Sequence, residues 1–576
     1  MSSSSLAQLR NILLVSLLQD ALSPPRYLHR GVIMPQRCRP AGIHSLPVEL
    51  LTWIFILGSR FDYPYSDSPF LLKPDQEYNA APSSNFQVIV SHVCQRWRQV
   101  ALRTQSLWTT LHFREQSHIP RAKAYLARCL TSSTCLLDIL VDTVAIEDHT
   151  PGITLYKEEI DTIFQIIIPH VERWRAFHLK ICDNECKGAA RHFLSTCGPA
   201  PNLETLQLYH FEDYRTTQNL YIATHRPPVV VFNNTIPRLK NVSLIGVNLP
   251  WAKSPYLKGL QNLELALHLD KIRPPYQWWD KMLRNSPELH TLCLHYSGPK
   301  EATDPTLVWP PEEEKVQLEW LQDLSLTDLD PGYLCNLFTR LQISRLKKLT
   351  LELPEQNFTP FLELINGPAV EDLSVDSQSS PSMKRLPSLN PSPNLTGRLL
   401  ANLEVLVIRA LECSIQTWFS LLLSAAALRV LEVDFTRVGS GFWKVFTKDA
   451  RSFAINSGSQ PQSDDYTIPT LLPRLEMFKP VGVSGKDILS ALQHRYRQPP
   501  VVNRTSTERW YVKWSERRRY RDVELDSLVD AKFWPPTNAS GVSIIPKVII
   551  ETYDDDEDPE EPEDDGQESS DSDGEV

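Results

Sequence analysis

Hydrophobic positions in the first part of the chain recur at helical spacing. Leu50, Leu51, Ile54 and Phe55 share one helical face, and Pro47 suits the first turn of that helix. A second stripe at helical spacing follows Ser91, the predicted N-cap, and consists of Val90, Val93, Cys94, Trp97, Val100 and Ala101. One further helical turn is predicted from Leu107, Trp108 and Leu111. Residues 43–113 are therefore predicted to form a compact unit of three short helices.

The segment between the first two helices is rich in Ser, Asp and Asn and contains four prolines, Pro64, Pro69, Pro74 and Pro82. This composition predicts a loop. Three short helices can build only a small core. The unit is left with surplus apolar surface, which favours a binding partner.

From about residue 130 the pattern changes to a loose repeat of the form L-x-x-L-x-L. Its copies begin at Leu203, Leu239, Leu260, Leu289, Leu321, Leu346, Val370, Leu403 and Leu428, and Trp174 starts a plausible earlier copy. The alternation predicts a strand with one face inward. Helical patterns precede several copies, at Ile160–Val171, Trp278–Leu283, Leu334–Leu341, Phe361–Ile365 and Ile415–Leu423. Residues 130–495 are therefore predicted to form a leucine-rich-repeat-like solenoid.

Several segments break this pattern. Pro305–Glu314, Ser377–Thr396 and Asn456–Thr467 are predicted loops between repeats, either recognition loops or tolerated insertions. Residues 496–550 are a predicted C-terminal cap, and their basic and aromatic residues leave nucleic-acid binding as the less favoured alternative. Residues 551–576 are a predicted disordered acidic tail. Residues 1–42 are a predicted N-terminal arm, for which a short amphipathic helix or a frayed arm is favoured over a mitochondrial presequence.

Composition excludes several classes of function. The net charge of the 576 residues is −10, but residues 551–576 contribute 15 acidic residues, so the remainder is nearly neutral and favours no nucleic-acid partner. Ten scattered cysteines favour a reducing compartment, cytoplasmic and/or nuclear. The nearest approach to a metal motif is Cys182 and Cys186 with His178 and His192, which lacks a second matching pair. No run of 18 apolar residues predicts a membrane span.

Nucleotide-binding, zinc-protease and hydrolase motifs are also lacking. We therefore predict a non-catalytic protein with no cofactor and no metal. An enzyme whose site lies in the insertions is a minor alternative.

The three apolar blocks together resemble an F-box. They read Leu46-Pro47-x-Glu49-Leu50-Leu51-x-x-Ile54-Phe55, then Val90-x-x-Val93-Cys94-x-x-Trp97-Arg98-x-x-Ala101, then Leu107-Trp108-x-x-Leu111. The long spacer between the first two blocks looks like that of fungal F-box proteins. Two further segments fit that group, Cys135–Ile139 and His170–Arg175. Beyond residue 113 the resemblance is to irregular leucine-rich repeats and is weaker.

This resemblance implies a substrate-recognition subunit of a Skp–cullin–F-box ubiquitin ligase. The F-box would dock on a Skp-type adaptor, and through it a cullin, while the repeats hold a protein substrate. The implied adaptor-binding residues are Leu46, Pro47, Leu50, Leu51, Ile54, Phe55, Val93, Cys94, Trp97 and Trp108. Of these, Val93 and Trp97 also fit a role in the helices' own core. The alternative function is a repeat scaffold with a degenerate F-box. The predicted fold is α/β, with a small helical module, a solenoid and a disordered tail.

Overall fold

The structure is a computed structural model, and it describes residues 46–61, 68–73, 86–129, 135–146, 148–182, 184–210, 228–301, 309, 315–367, 399–447, 471–483, 509–513 and 548–551. Its α-helices are α1 (Val48–Phe61), α2 (Phe86–Val93), α3 (Gln95–Arg103), α4 (His118–Cys129), α5 (Lys157–Ile167), α6 (Asn184–Thr196), α7 (Tyr276–Arg284), α8 (Pro331–Phe338), α9 (Thr359–Asn366), α10 (Ile415–Ser424) and α11 (Ser440–Thr447). Short 3-10 helices lie at Gln105–Trp108, Ile168–Arg173, Phe232–Asn234 and Trp251–Lys253.

The strands are β1 (Thr110–Phe113), β2 (Leu137–Asp142), β3 (Trp174–Ile181), β4 (Thr205–His210), β5 (Asn241–Ile245), β6 (Asn262–Ala266), β7 (Thr291–His295), β8 (Val316–Leu318), β9 (Asp323–Thr327), β10 (Leu341–Ile343), β11 (Lys348–Asn357), β12 (Val405–Glu412), β13 (Val430–Asp434), β14 (Met477–Val481), β15 (Arg509–Lys513) and β16 (Val548–Glu551). All except β8 and β10 belong to one 14-stranded sheet in which neighbours follow chain order. Every pairing in this sheet is parallel.

The leucine pattern of the sequence corresponds to strand positions in this sheet. In β4 the side chains of Leu206 and Leu208 are buried in the main hydrophobic core, and each pairs in register with a core residue of β5, Val242 or Leu244. Because side chains alternate across a strand, Gln207 and Tyr209 face the opposite side of the sheet. The first leucine of the repeat, Leu203, is also buried, two residues before the strand. The sheet therefore has a leucine-rich face toward the helices and a second, more polar face.

The predicted arrangement of a small helical module followed by a leucine-rich-repeat solenoid is wrong. The structure is an α/β fold made mostly of one large parallel sheet with helices. Leu51 and Trp97 belong to the same hydrophobic cluster that extends along the sheet to Phe478. The N-terminal helices bury too little apolar surface to form a core of their own, so they share that of the sheet. A leucine period identifies buried strands, but it does not specify how those strands assemble.

The local predictions near the N-terminus are also partly wrong. The second stripe is two helices, because Cys94 has an extended backbone (φ −159°, ψ 168°) that ends α2 and caps α3. Ser91 lies inside α2 and is not an N-cap. The predicted turn at Leu107–Leu111 ends at Trp108, and Leu111 belongs to β1. Helices are present at all five positions predicted before the repeats, although α8 ends at Phe338, before the predicted Leu341.

Several predictions lie outside the described residues. These are the N-terminal arm at 1–42, the insertion Ser377–Thr396, the copy that begins at Val370, most of Pro305–Glu314, and Asn456–Thr467. Almost all of the acidic tail is outside them as well. Within 496–550, the predicted cap, the described strand β15 pairs with β14, and β16 pairs with β15.

Buried histidines make the stability of this fold dependent on pH. Desolvation lowers the pKa of His112 to about 3 and of His118, His178 and His268 to about 4. The unfolded chain therefore takes up protons near pH 6.5 while the folded chain does not, so the free energy of unfolding falls as pH drops from 6.5 toward 4. Burial raises the pKa of Asp142, so the protonation of this one group stabilises the folded chain as the pH falls and partly offsets the effect of the histidines.

We expect the midpoint of thermal unfolding to be lower at pH 5 than at pH 7.5 by roughly 5 °C or more. Scanning calorimetry at the two pH values and matched ionic strength measures the difference. An equal or higher midpoint at pH 5 would contradict the burial of these imidazoles.

Candidate protein-binding surface

Helix α1 starts directly after Pro47, whose carbonyl oxygen accepts a hydrogen bond from the Leu51 amide at 3.1 Å. Glu49 lies in its first turn, where an acidic side chain interacts favourably with the helix dipole. The helix is apolar around much of its circumference, so its sequence carries two adjacent apolar stripes. Only one of them is buried in the described structure.

The exposed stripe consists of Leu50, Trp53 and Leu57, which we call the α1 apolar face. Their exposed fractions are 51%, 62% and 52%, and their i, i+3, i+7 spacing places them on one side of the helix. Val48, at the start of the helix, is 50% exposed. Monomeric proteins seldom expose a continuous stripe of large apolar side chains on a helix, and such stripes mark interaction sites.

The other apolar stripe of α1 packs against α3. Leu51 and Phe55 are completely buried, and the ring of Phe55 contacts that of Trp97 edge to face with the centroids 5.1 Å apart. Trp97 is itself 3% exposed. These contacts fix the rotation of α1 about its axis, and so keep the α1 apolar face toward solvent.

Trp108 anchors the helices to the beginning of the sheet. It is completely buried, its indole Nε1 donates a hydrogen bond to the Ala101 carbonyl at 2.9 Å, and its ring meets that of Tyr125 edge to face at 5.0 Å. The Arg128 guanidinium lies over the Trp108 ring at 4.1 Å. Trp108 thus connects α3 to α4 from the interior.

The other residues implied by the F-box resemblance lie at or near the surface. Pro47 is exposed, and Leu46, Ile54, Val93 and Cys94 are half-buried. The carbonyl oxygen of Leu46 accepts a hydrogen bond from the Arg96 guanidinium, and the Cys94 thiol accepts one from the Trp97 amide at 3.5 Å. The structure brings the ten implied residues into one region, with Pro47 and Leu50 accessible and Leu51, Phe55, Trp97 and Trp108 buried.

Sequence reasoning missed Trp53 and Leu57, which are among the most exposed large apolar residues of the described chain. Neither is among Leu50, Leu51, Ile54 and Phe55, the four residues that the sequence predicts to share one helical face. Their spacing from Leu50 is itself a helical signal, so the sequence contains evidence for a second stripe. It gives no indication of which stripe is buried.

Gly58 fixes how closely α1 and α2 approach each other. A Cβ atom at this position would lie 2.1 Å from Cζ of the Phe86 ring. Alanine normally stabilises a helix interior relative to glycine by about 0.5–1 kcal/mol, but overpacking costs about 1–3 kcal/mol. We therefore expect Gly58→Ala to lower the free energy of unfolding, measured by chemical denaturation.

Gly188 in α6 is the matched control, because a Cβ there meets no atom within 4 Å. Gly188→Ala should stabilise the protein or leave it unchanged. If both substitutions stabilise the protein equally, the packing of Phe86 on α1 is not as the structure places it.

Two members of the cysteine and histidine pattern noted in the sequence bond to other groups. His178 bonds to Gln207 through Nδ1 at 2.9 Å, and the Cys182 thiol donates to the Thr143 carbonyl at 3.0 Å. Among the described residues no group of three His, Cys, Asp or Glu side chains is placed to hold a metal ion.

A cavity of about 80 Å³ between α6 and β4 is well below the volume of sites for drug-sized ligands. The α1 apolar face is therefore the stronger candidate for a functional surface.

No protein-family model matches the chain, and no curated protein is significantly similar to it in sequence. None of the described helices is both long and apolar enough to cross a membrane. The candidate site therefore rests on the residues and geometry of this chain alone.

Proposed function

We propose that this chain is the substrate-recognition subunit of a Skp–cullin–F-box ubiquitin ligase. The α1 apolar face docks on the Skp-type adaptor, and the sheet binds a protein substrate. The single observation that carries the proposal is the exposure of Leu50, Trp53 and Leu57 on α1, within the segment that resembles an F-box.

The chemistry of this face favours a protein partner with an apolar groove. In a common mode of protein recognition, an amphipathic helix packs the apolar side chains at positions i, i+3 and i+7 into such a groove of its partner. Complete burial of a large apolar side chain contributes about 1.5–3 kcal/mol, and tryptophan is enriched among residues that dominate binding energies. Trp53 has the largest exposed fraction of the three and is the central anchor.

A receptor of this kind needs no catalytic residue of its own. It holds the substrate near the ubiquitin-transfer machinery and so raises the effective concentration of the reacting groups. The polar face of the sheet, where alternate residues of β7, β9 and β13 are partly exposed, offers a separate surface for that substrate, so adaptor and substrate can bind simultaneously.

The test is a binding assay between the full chain and a purified Skp-type adaptor, followed by addition of a cullin. We expect a stable adaptor complex that then recruits the cullin, seen as successive shifts in size-exclusion chromatography. A folded full chain that fails to bind the adaptor would overturn the proposal and favour a scaffold outside any ligase.

A further inference from the structure

A short segment between α1 and α2 lies across the polar face of the sheet. We call this segment, Ser68–Lys73, the strap. Phe70, Leu71 and Leu72 are 3%, 5% and 4% exposed, in a segment that the sequence predicts to be a loop. The strap is thus buried against strands that lie more than 60 residues away in sequence.

Gln207 of β4 binds the backbone of the strap with both ends of its side-chain amide. Its Oε1 accepts hydrogen bonds from the amides of Leu71 and Leu72 at 3.0 Å each, and its Nε2 donates to the Leu72 carbonyl at 2.8 Å. Gln207 is completely buried beneath the strap. These contacts use only main-chain groups, so an extended peptide of different sequence could make them too.

Gln207 is held in place by a row of polar side chains on neighbouring strands. His178 contacts Gln207 Oε1 through Nδ1 at 2.9 Å, and Gln207 Nε2 also donates to Ser243 Oγ at 3.1 Å. Ser243 Oγ in turn donates to Glu264 Oε2 at 2.5 Å. The register of β3, β4, β5 and β6 places these four residues side by side. The row is a preorganised site rather than a set of independent surface residues.

The same site distinguishes side chains. Leu71 and Leu72 pack in a small hydrophobic cluster, separate from the main core, with residues of four strands: Leu140, Tyr209, Ile245 and Ala266. The next strap residue, Lys73, lies 3.7 Å from Glu264 Oε1, and the Glu264 side chain is only 9% exposed. The site therefore accepts two apolar side chains followed by a basic one.

We propose that this face of β2–β6 is a peptide-binding site for an extended segment with two large apolar residues followed by Lys or Arg, and that the strap occupies it as an internal competitor. This inference rests on the proposed function, because the peptide that binds here is taken to be a segment of the substrate protein. The strap is part of the same chain, so it competes at an effective concentration that can reach the millimolar range. A substrate segment must displace it to bind.

The test uses the full chain and a fluorescein-labelled peptide with the strap sequence, Ser-Pro-Phe-Leu-Leu-Lys, in fluorescence anisotropy. The double substitution Leu71→Asp/Leu72→Asp releases the strap but leaves the site intact. We expect the released variant to bind the peptide at least about tenfold more tightly than the wild type does. A peptide with both leucines replaced by aspartate should not bind.

Two further variants, made in the released background, locate the binding. Gln207→Leu should abolish it because leucine cannot bond the peptide backbone, and Glu264→Gln should weaken it for the Lys peptide but not for a peptide with Ala in place of Lys. Circular dichroism melts confirm that each variant is folded. Equal peptide binding by wild type and a folded released variant would overturn the proposal, as would full binding by folded Gln207→Leu.

The same preparations are tested with the Skp-type adaptor, which separates this inference from the proposed function. Adaptor binding without peptide binding overturns the peptide site alone. Peptide binding without adaptor binding overturns the ligase function but supports the site and its internal competitor.

Discussion

Trp53→Asp is expected to weaken the binding of the full chain to a Skp-type adaptor by at least about 100-fold while the protein stays folded. The side chain is 62% exposed, so its replacement removes little packing from the free chain. In the complex, the substitution removes the central anchor and forces a carboxylate into an apolar groove. A loss of 100-fold corresponds to about 2.8 kcal/mol, within the range for binding-site tryptophans. Isothermal titration calorimetry measures it.

The matched control is Trp320→Asp. Trp320 is 45% exposed but lies between β8 and β9, far from α1 in the strand order. It should leave adaptor affinity unchanged within about twofold, and thermal melts of both variants establish that each is folded. Adaptor affinity that survives Trp53→Asp would exclude the α1 apolar face as the docking surface.

Trp108→Ala is expected to cause the largest loss of stability, about 3–5 kcal/mol in the free energy of unfolding. The substitution leaves a cavity at a completely buried position and removes the hydrogen bond from Nε1 to the Ala101 carbonyl. It also removes the contacts with the Tyr125 ring and the Arg128 guanidinium. Urea denaturation followed by circular dichroism measures the shift.

The exposed Trp320 again provides the control. Its ring contacts the Arg345 guanidinium at 5.0 Å and the His290 ring at 6.3 Å, so Trp320→Ala should change stability by no more than about 1 kcal/mol. The shape of the Trp108→Ala transition is also informative. Since Trp108 belongs to the core shared by the helices and the sheet, the first strands should lose protection from hydrogen exchange together with α1–α3. Loss of protection in α1–α3 alone would show that those helices form an independent unit.

Strand and helix positions could be predicted from the sequence because they depend on local periodicity. Leu206 and Leu208 mark β4 by alternation, and Ile415–Leu423 marks α10 by its apolar face. The assembly could not be predicted in the same way. A leucine period reports that a strand is buried on one face, but which element covers that face is decided by contacts between distant segments.

The candidate sites show the same limit. Leu50 and Leu51 are adjacent, equally apolar and on neighbouring stripes of α1, and only the packing of Phe55 on Trp97 determines which stripe is buried. The strap is a second example. Leu71 and Leu72 lie in a proline-rich loop, and their amides donate hydrogen bonds to Gln207, which is 136 and 135 residues away in sequence. No local pattern predicts a contact over that separation.

Site-specific photo-crosslinking tests most directly the central claim that the α1 apolar face contacts the adaptor. A photo-reactive amino acid replaces Trp53 in one preparation of the full chain and Trp320 in another, and each is irradiated with the adaptor present. We expect a crosslinked product from position 53 and none from position 320. A stable complex that gives no crosslink from position 53, or an equal yield from both positions, would contradict it.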